Sequence, residues 1–316
     1  MTDAQFRSIS LEQITLDESG IRGKAPGGNA MAVAAGNLVQ LARSAKDESG
    51  KELVLVLANG DQWVGQLQSF DGTSLTWSAA NIGEMKVPIE QSLGIVRDLS
   101  RDTRFHAERA EDEVRLRNGD TLRGIVSAAT AQSIEVTPTG GTATTVATEA
   151  LEQVLFAAPP QGRGAMAVSQ WRVRLVNGTR ISTERVQLSG DGVRIIHKDG
   201  EVTVPADRVT MIEHTGGPIS WLSNRQPLQS EHTPYFGGSF PARMNMTVTG
   251  EPIRFNNITY PHGIGVHSRS KLVFTVEPGD LRLRTRFAID PALGFADVDV
   301  RVLVDEKVVS ETKGFK

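Results

Sequence analysis

Residues 260–275 read YPHGIGVHSRSKLVFT, with His262 and His267 five apart among glycines and Ser268, Arg269 and Ser270 close behind. Imidazole, hydroxyl and guanidinium groups at this spacing allow three chemistries. A helical zinc pair needs two histidines four apart with a glutamate between them, and no third ligand stands near this pair. A serine nucleophile with His267 as base needs a nucleophile elbow, and no G-x-S-x-G is present. Glycoside hydrolysis needs two carboxylates about 5–10 Å apart, and no motif singles out a pair among the 37 acidic residues. No catalytic residue is therefore assigned, and the chain is read as a non-enzyme.

After metal binding and catalysis, ligand binding by flat aromatic faces and hydrogen-bonding side chains is the third chemistry. Trp221, Tyr235, Phe236 and Tyr260 supply candidate platforms, and His267, Ser268, Arg269 and Asp290 supply polar partners. Each has a structural alternative that the sequence leaves open. Trp221 and Tyr260 suit a core, His267 a buried carbonyl, Ser268 a turn cap, and Asp290 the turn before Pro291. No cofactor is expected. Asp297 and Asp299 share one strand face, which reads as solvated; a structural calcium ion is the alternative, although calcium needs six to eight oxygens from several loops.

The elements that must carry these residues begin with a repeat. LVLANGDQWVGQL at 55–67, VRLRNGDTLRGIV at 114–126 and VRLVNGTRISTERV at 173–186 place glycines at 60, 119 and 178, so the period is 119 − 60 = 178 − 119 = 59 residues. Asn-Gly between β-rich runs predicts a hairpin with a type I′ turn. Asp61 and Asp120 follow the turn glycine and read as turn residues. Gly65 and Gly124 lie inside the returning strand and predict a bulge or a close backbone approach, whereas the third unit has Thr183 there. Each unit continues with two short strands and closes on an apolar segment: LGIV at 93–96, LEQVLF at 151–156, VTMI at 209–212. Trp63, Trp77 and Trp171 read as core. Residues 10–43 match the later part of the same pattern, with Ile14 on Val186 and Gly20 on Gly192, so the chain opens inside a repeat whose first hairpin arm is missing or degenerate.

The expected division is a partial repeat at 1–44, repeats at 53–99, 112–158 and 170–215, and a different domain at 217–316. Charged or Pro/Gly-rich joints at 44–52, 100–113 and 157–166 separate the repeats. The strand pattern is similar to SH3-like or Sm-like barrels. With 34 Lys+Arg against 37 Asp+Glu the net charge is −3, so no nucleic-acid partner is expected. The absence of cysteine removes disulfides, thiolate catalysis and Cys-based zinc sites. No apolar run reaches the 18 residues a membrane helix needs, and the first twenty residues lack a signal-peptide pattern.

Beyond Gly216 the alternation lengthens. KLVFTVE at 271–277, LRLRTRFAID at 281–290 and ADVDVRVLVD at 296–305 predict strands of an antiparallel sandwich. WLSNRQP at 221–227, HTPYFGGSFPARMN at 232–245, ITYPHGIGVHSRSKLVF at 258–274, RFAID at 286–290 and VDVRVLVDEKVV at 298–309 resemble the successive motifs of the NPCBM family, the novel putative carbohydrate-binding module. The resemblance implies a galactose-binding-like jelly roll, a glycan partner and an exported, extracytoplasmic bacterial protein. It also implies further strands beyond Lys316, so the sandwich is expected to be incomplete and to expose a sheet edge. Glu306 stands where the family has a turn glycine, which predicts a different turn there. The fold expected is all-β throughout. The function expected is non-catalytic glycan binding and targeting. The alternatives are a structural scaffold of a cell-surface assembly, with protein partners held by the repeats, and an accessory to a glycoside hydrolase whose catalytic domain lies elsewhere.

Overall fold

The computed structural model describes residues 1–4, 7–45, 48, 50, 52–97, 105, 109–157, 171–190, 192–197, 200–215, 219–234, 237–255, 258–290 and 296–316. Much of the joints at 44–52, 100–113 and 157–166, together with Tyr235, Phe236 and Pro291, lies outside these residues. The chain is all-β and divides into two compact units, Met1–Ile219 and Ser220–Lys316.

The first unit begins with β1 (Thr2–Asp3), β2 (Glu12–Asp17), β3 (Gly20–Lys24), β4 (Ala30–Ala34) and β5 (Leu38–Ala42). The next five strands are β6 (Leu53–Leu57), β7 (Gln62–Phe70), β8 (Ser74–Ala79), β9 (Gly83–Pro88) and β10 (Ser92–Val96). The order recurs as β11 (Asp112–Leu116), β12 (Thr121–Thr130), β13 (Ser133–Thr137), β14 (Thr144–Ala147) and β15 (Leu151–Leu155). It recurs again as β16 (Trp171–Leu175), β17 (Arg180–Thr183), β18 (Arg185–Ser189), β19 (Gly192–His197), β20 (Gly200–Pro205) and β21 (Val209–His214). A single 3₁₀ turn precedes each closing strand, at 35–37, 89–91, 148–150 and 206–208.

The glycine inside the long strand explains why one strand is split. A Cβ on Gly65 would lie 2.1 Å from the Ser78 carbonyl oxygen, and one on Gly124 2.3 Å from that of Thr137. Only glycine lets the backbones approach this closely, so β7 and β12 coil through the bend unbroken. Thr183 has a side chain to place. Its hydroxyl donates to the Arg185 and Ile196 carbonyls, and the strand breaks at Glu184 into β17 and β18.

The three Asn-Gly turns are not type I′. Only the glycines have positive φ, at +86°, +95° and +93°. The Gly60 N–H donates to Leu57 O, and the Leu57 N–H donates to Asp61 O. This is a type I turn followed by a left-handed glycine bulge, in which the asparagine side chain caps the next residue: Asn59 Oδ1 accepts from the Asp61 N–H at 2.9 Å. Asn118 and Asn177 do the same for Asp120 and Thr179. The asparagine therefore does the turn chemistry, which frees Asp61 for another task.

Repeats associate out of sequence order. β10 pairs antiparallel with β15 (Ile95 opposite Val154), and the far ends of β7 and β12 meet at Phe70 and Ala129. The opening partial repeat joins the third repeat in the same way, with β5 on β21 (Leu41 opposite Ile212) and β2 on β18 (Leu16 opposite Leu188). An arginine two residues past the shared strand position marks both pairs. Arg97 Nε donates to Leu151 O at 2.7 Å, and Arg43 Nε donates to Val209 O at 2.7 Å, each capping the partner's 3₁₀ turn. β1 pairs antiparallel with β5, Thr2 opposite Gln40.

A third seam links the two pairs. Arg180 of β17 lies opposite Gln62 of β7, the Ser182 N–H donates to Asp61 Oδ1 at 2.8 Å, and the Val64 N–H donates to Thr179 Oγ1 at 3.1 Å. The first full repeat is thus covered on both sides, and its strand LVLVL is buried at every position, whereas WRVRL in β16 alternates. Trp63, Trp77 and Trp171 are all core, at 8%, 0% and 6% exposure.

The strands of the second unit are β22 (Gln229–His232), β23 (Arg243–Met244), β24 (Ile253–Phe255), β25 (Ile258–Tyr260), β26 (Ile264–Gly265), β27 (Ser270–Val273), β28 (Val298–Val304) and β29 (Lys307–Phe315). They pair as four two-stranded ribbons: β22 with β27, β23 with β26, β24 with β25, and β28 with β29. The segment 281–290 differs from expectation. It alternates like a strand, yet no strand forms there and Leu281 is 96% exposed, because a strand needs a neighbouring backbone and none of the described residues provides one. The outer edge of β28 is correspondingly unpaired among the described residues. The turn at Asp305–Glu306 also departs from expectation. Both residues adopt positive φ, +48° and +65°, so glutamate takes the conformation expected to need glycine, at the cost of strain.

Candidate functional site

The β22–β27 ribbon sets His232 opposite Ser270, and the turn entering β27 carries His267, Ser268 and Arg269. Arg269 has φ +59°, a left-handed kink, and its carbonyl accepts the Thr233 N–H at 3.0 Å. That kink leaves Ser268 and Arg269 exposed while His267 stays half-buried. The His267 ring stacks on Phe240 (centroids 5.0 Å apart, planes 16° apart) and meets the edge of His232 (5.6 Å, 78°). Its Nδ1 lies 3.2 Å from Ser268 Oγ, and His232 Nδ1 lies 3.4 Å from Ser270 Oγ. The Nε2 of His232 is buried without a hydrogen-bond partner among the described residues. The result is a flat aromatic and imidazole patch bordered by a hydroxyl and a guanidinium.

A second cluster surrounds Trp221, which is half-buried and stacks face to face on His262 at 4.4 Å and 11°. Asn245, at φ +60°, ties the two strands of sequence together. Its Nδ2 donates to Asn224 Oδ1 (3.2 Å), and its backbone N–H donates to Gly263 O (2.7 Å). Gly265 is needed because a Cβ there would lie 2.4 Å from the Met246 carbonyl oxygen. Gly265 of the PHGIG stretch therefore serves close packing of β26 on the 246–248 backbone, while Gly263 makes room for the Ile253 side chain. Nearby, Arg225 makes a two-toothed ion pair with Asp280 (2.6 and 2.7 Å), and the hydrogen bond from Arg225 holds the Asp280 carboxyl down at about 2.

The candidate residues are thus distributed unevenly. His267 and Ser268 share one cluster, with Arg269 at its border, and Trp221 belongs to another. Tyr260 is half-buried on β25 opposite Ile253, and Asp290 is half-buried at the end of the 281–290 segment. Tyr235 lies outside the described residues. Phe240 and His232 carry no sequence signal beyond membership of the HTPYFGGSF motif, and His262, considered above as half of a zinc pair, instead stacks on Trp221. His262 and His267 fall in different stacks, and no group of three or more His, Asp or Glu side chains suited to a metal ion occurs among the described residues. Asp299 accepts the Gly314 N–H, and Asp297 faces Lys316 at 3.5 Å.

Residues 219–316 match the family described as NPCBM/NEW2 domain, a carbohydrate-binding type of module. No curated protein and no solved structure matches the chain. No helix among the described residues is long and apolar enough to cross a membrane.

Proposed function

We propose that the protein is a non-catalytic glycan-binding protein that uses its C-terminal unit to hold a larger exported assembly on a polysaccharide. The observation that carries this reading is the His267–Phe240 stack with exposed Ser268 and Arg269 at its edge, inside the stretch matched by the carbohydrate-module family. A pyranose presents a C–H face and a ring of hydroxyls, and such a patch offers a flat apolar surface plus groups that donate and accept hydrogen bonds. The Trp221–His262 stack offers a second flat surface. Tyr260, Asp290 and Tyr235 stay in the proposal as further contacts, with no metal or cofactor required. The outer strands of the first unit are where protein partners would dock.

The test is a glycan array probed with the whole chain, followed by His267→Ala and Trp221→Ala on any ligand found. Loss of about tenfold or more in affinity with His267→Ala is expected, since a stacked platform contributes on the order of 1–3 kcal/mol in related aromatic stacking. Absence of any glycan-dependent retention, or retention untouched by both substitutions, would leave the scaffold reading in its place.

A further inference from the structure

The seam between the first and third full repeats holds three arginines on one face, two of which keep a buried nitrogen without a hydrogen-bond partner among the described residues. Arg172 and Arg174 alternate with buried Trp171, Val173 and Leu175 on β16, so both project from the same face. Arg180 lies directly opposite Arg174 on that face, and Glu213 directly opposite Arg172. The turn of the first repeat closes over them. A Cβ on Gly60 would lie 3.9 Å from Arg172 Nη2, and Asp61, 2% exposed, accepts the Ser182 N–H beside them. Three guanidinium groups therefore share the seam with two carboxyls, and burial pushes the Asp61 carboxyl up.

The Nε atoms of Arg172 and Arg180, and Nδ2 of Asn177, are buried from water with no hydrogen-bond partner among the described residues. Burying a cationic donor without a partner costs several kcal/mol in order of magnitude, so such groups are normally paired. The consequence is visible in Arg180, whose pKa is lowered to about 9, first by burial and then by repulsion from Arg174 and Arg172. The equivalent strands show that the arrangement is optional. Six and four residues before the turn glycine stand Arg172 and Arg174 here, Val54 and Val56 in the first repeat, and Glu113 and Arg115 in the second.

From this we infer that the Arg172–Arg174–Arg180 face is a binding site for a small oxyanion of the phosphate or sulfate class. Planar guanidinium forks satisfy tetrahedral oxyanions with paired N–H donors, and an anion with several acceptor oxygens can engage more than one of them at once. Bound there, it would neutralise the excess positive charge and pin the two pairs of repeats together.

The experiment is thermal unfolding of the whole chain with inorganic phosphate or sulfate, against sodium chloride at matched ionic strength. The expected result is a saturable rise in Tm, roughly 5–10 °C when the anion is about a hundredfold above its dissociation constant. Arg180→Met should abolish the rise while leaving Tm in chloride unchanged or higher, because the like-charge repulsion is removed. Arg172→Gln, which keeps a polar side chain, should also abolish the rise and guards against a packing defect in the first variant. No response of the parent chain beyond matched chloride overturns the inference. So does a response kept in both variants, or a fall in the chloride Tm of Arg180→Met, which would mean that a protein group already satisfies this arginine.

Discussion

Asp61 and Asp120 occupy the same place after the same turn glycine, and replacing each with alanine separates turn chemistry from seam chemistry. Asp120 is exposed and bonded to its neighbour Asn118, so its loss should change stability by no more than about 0.5 kcal/mol. Asp61 is 2% exposed and accepts the Ser182 N–H at 2.8 Å across the seam. Removing it strands that N–H, which costs about 1–3 kcal/mol. For a unit of this size each kcal/mol moves Tm by roughly 2–4 °C, so Asp61→Ala should lower Tm by about 2–12 °C. Asp61→Asn keeps an acceptor and should behave differently with pH. Burial raises the folded pKa of Asp61 above the ordinary 3.8, so the folded form holds its proton more tightly than the unfolded chain. Stability from this group is greatest below the unfolded pKa and declines as pH rises through the raised value. Asp61→Asn should therefore remove that decline and equal or exceed the parent at pH 7. Thermal unfolding of all three variants between pH 3 and 7 checks this. Equal effects of Asp61→Ala and Asp120→Ala would refute the seam role.

Gly65→Ala and Gly124→Ala should each cost about 1–3 kcal/mol or more, measured by urea unfolding, since the new methyl group meets backbone that cannot rotate away. Glu306→Gly should stabilise the β28–β29 ribbon by about 1 kcal/mol by relieving positive φ, read as a raised urea midpoint; a lowered midpoint would count against the strained turn. His214 has its pKa lowered by burial, so its contribution is present above the unfolded value and is lost as pH falls through about 6.5 toward the folded value. His214→Phe, the residue found at the matching position 156, should flatten the stability profile between pH 5 and 7; a profile that stays steep would assign the loss to another group.

Much of this architecture was legible because strand alternation and turn residues are local signals. SLTW, SIEV and VRII could be placed as strands with no knowledge of their neighbours. The order in which repeats associate was not, because it depends on strand edges and on side chains such as Arg43 and Arg97 that reach carbonyls far away in sequence. One clue was present: LVLVL has no polar face, which marks a strand covered on both sides. The turns illustrate the limits in both directions. Asn-Gly indicated a hairpin correctly but the wrong turn type, since the loop is one residue longer than a two-residue turn. Asp-Glu, which looked unsuited to positive φ, adopts it because the flanking strands pair in a register that leaves only two residues for the loop. In the candidate site, His267 and Ser268 were readable from one motif. Phe240 and His232 were not, because a stack between separate segments leaves no spacing to recognise.

The pairing of the first 42 residues with the third full repeat sets an order on synthesis. The partners of β2 and β5 are β18 and β21, so the opening segment must wait for some 170 further residues before its edges can be covered. At ribosomal speeds of about 5–20 residues per second that is roughly 10–35 s, during which the middle pair can form on its own. The nascent chain would therefore carry an unsatisfied amino-terminal sheet edge past two finished repeats, and it is in that interval that a chaperone would have most to do.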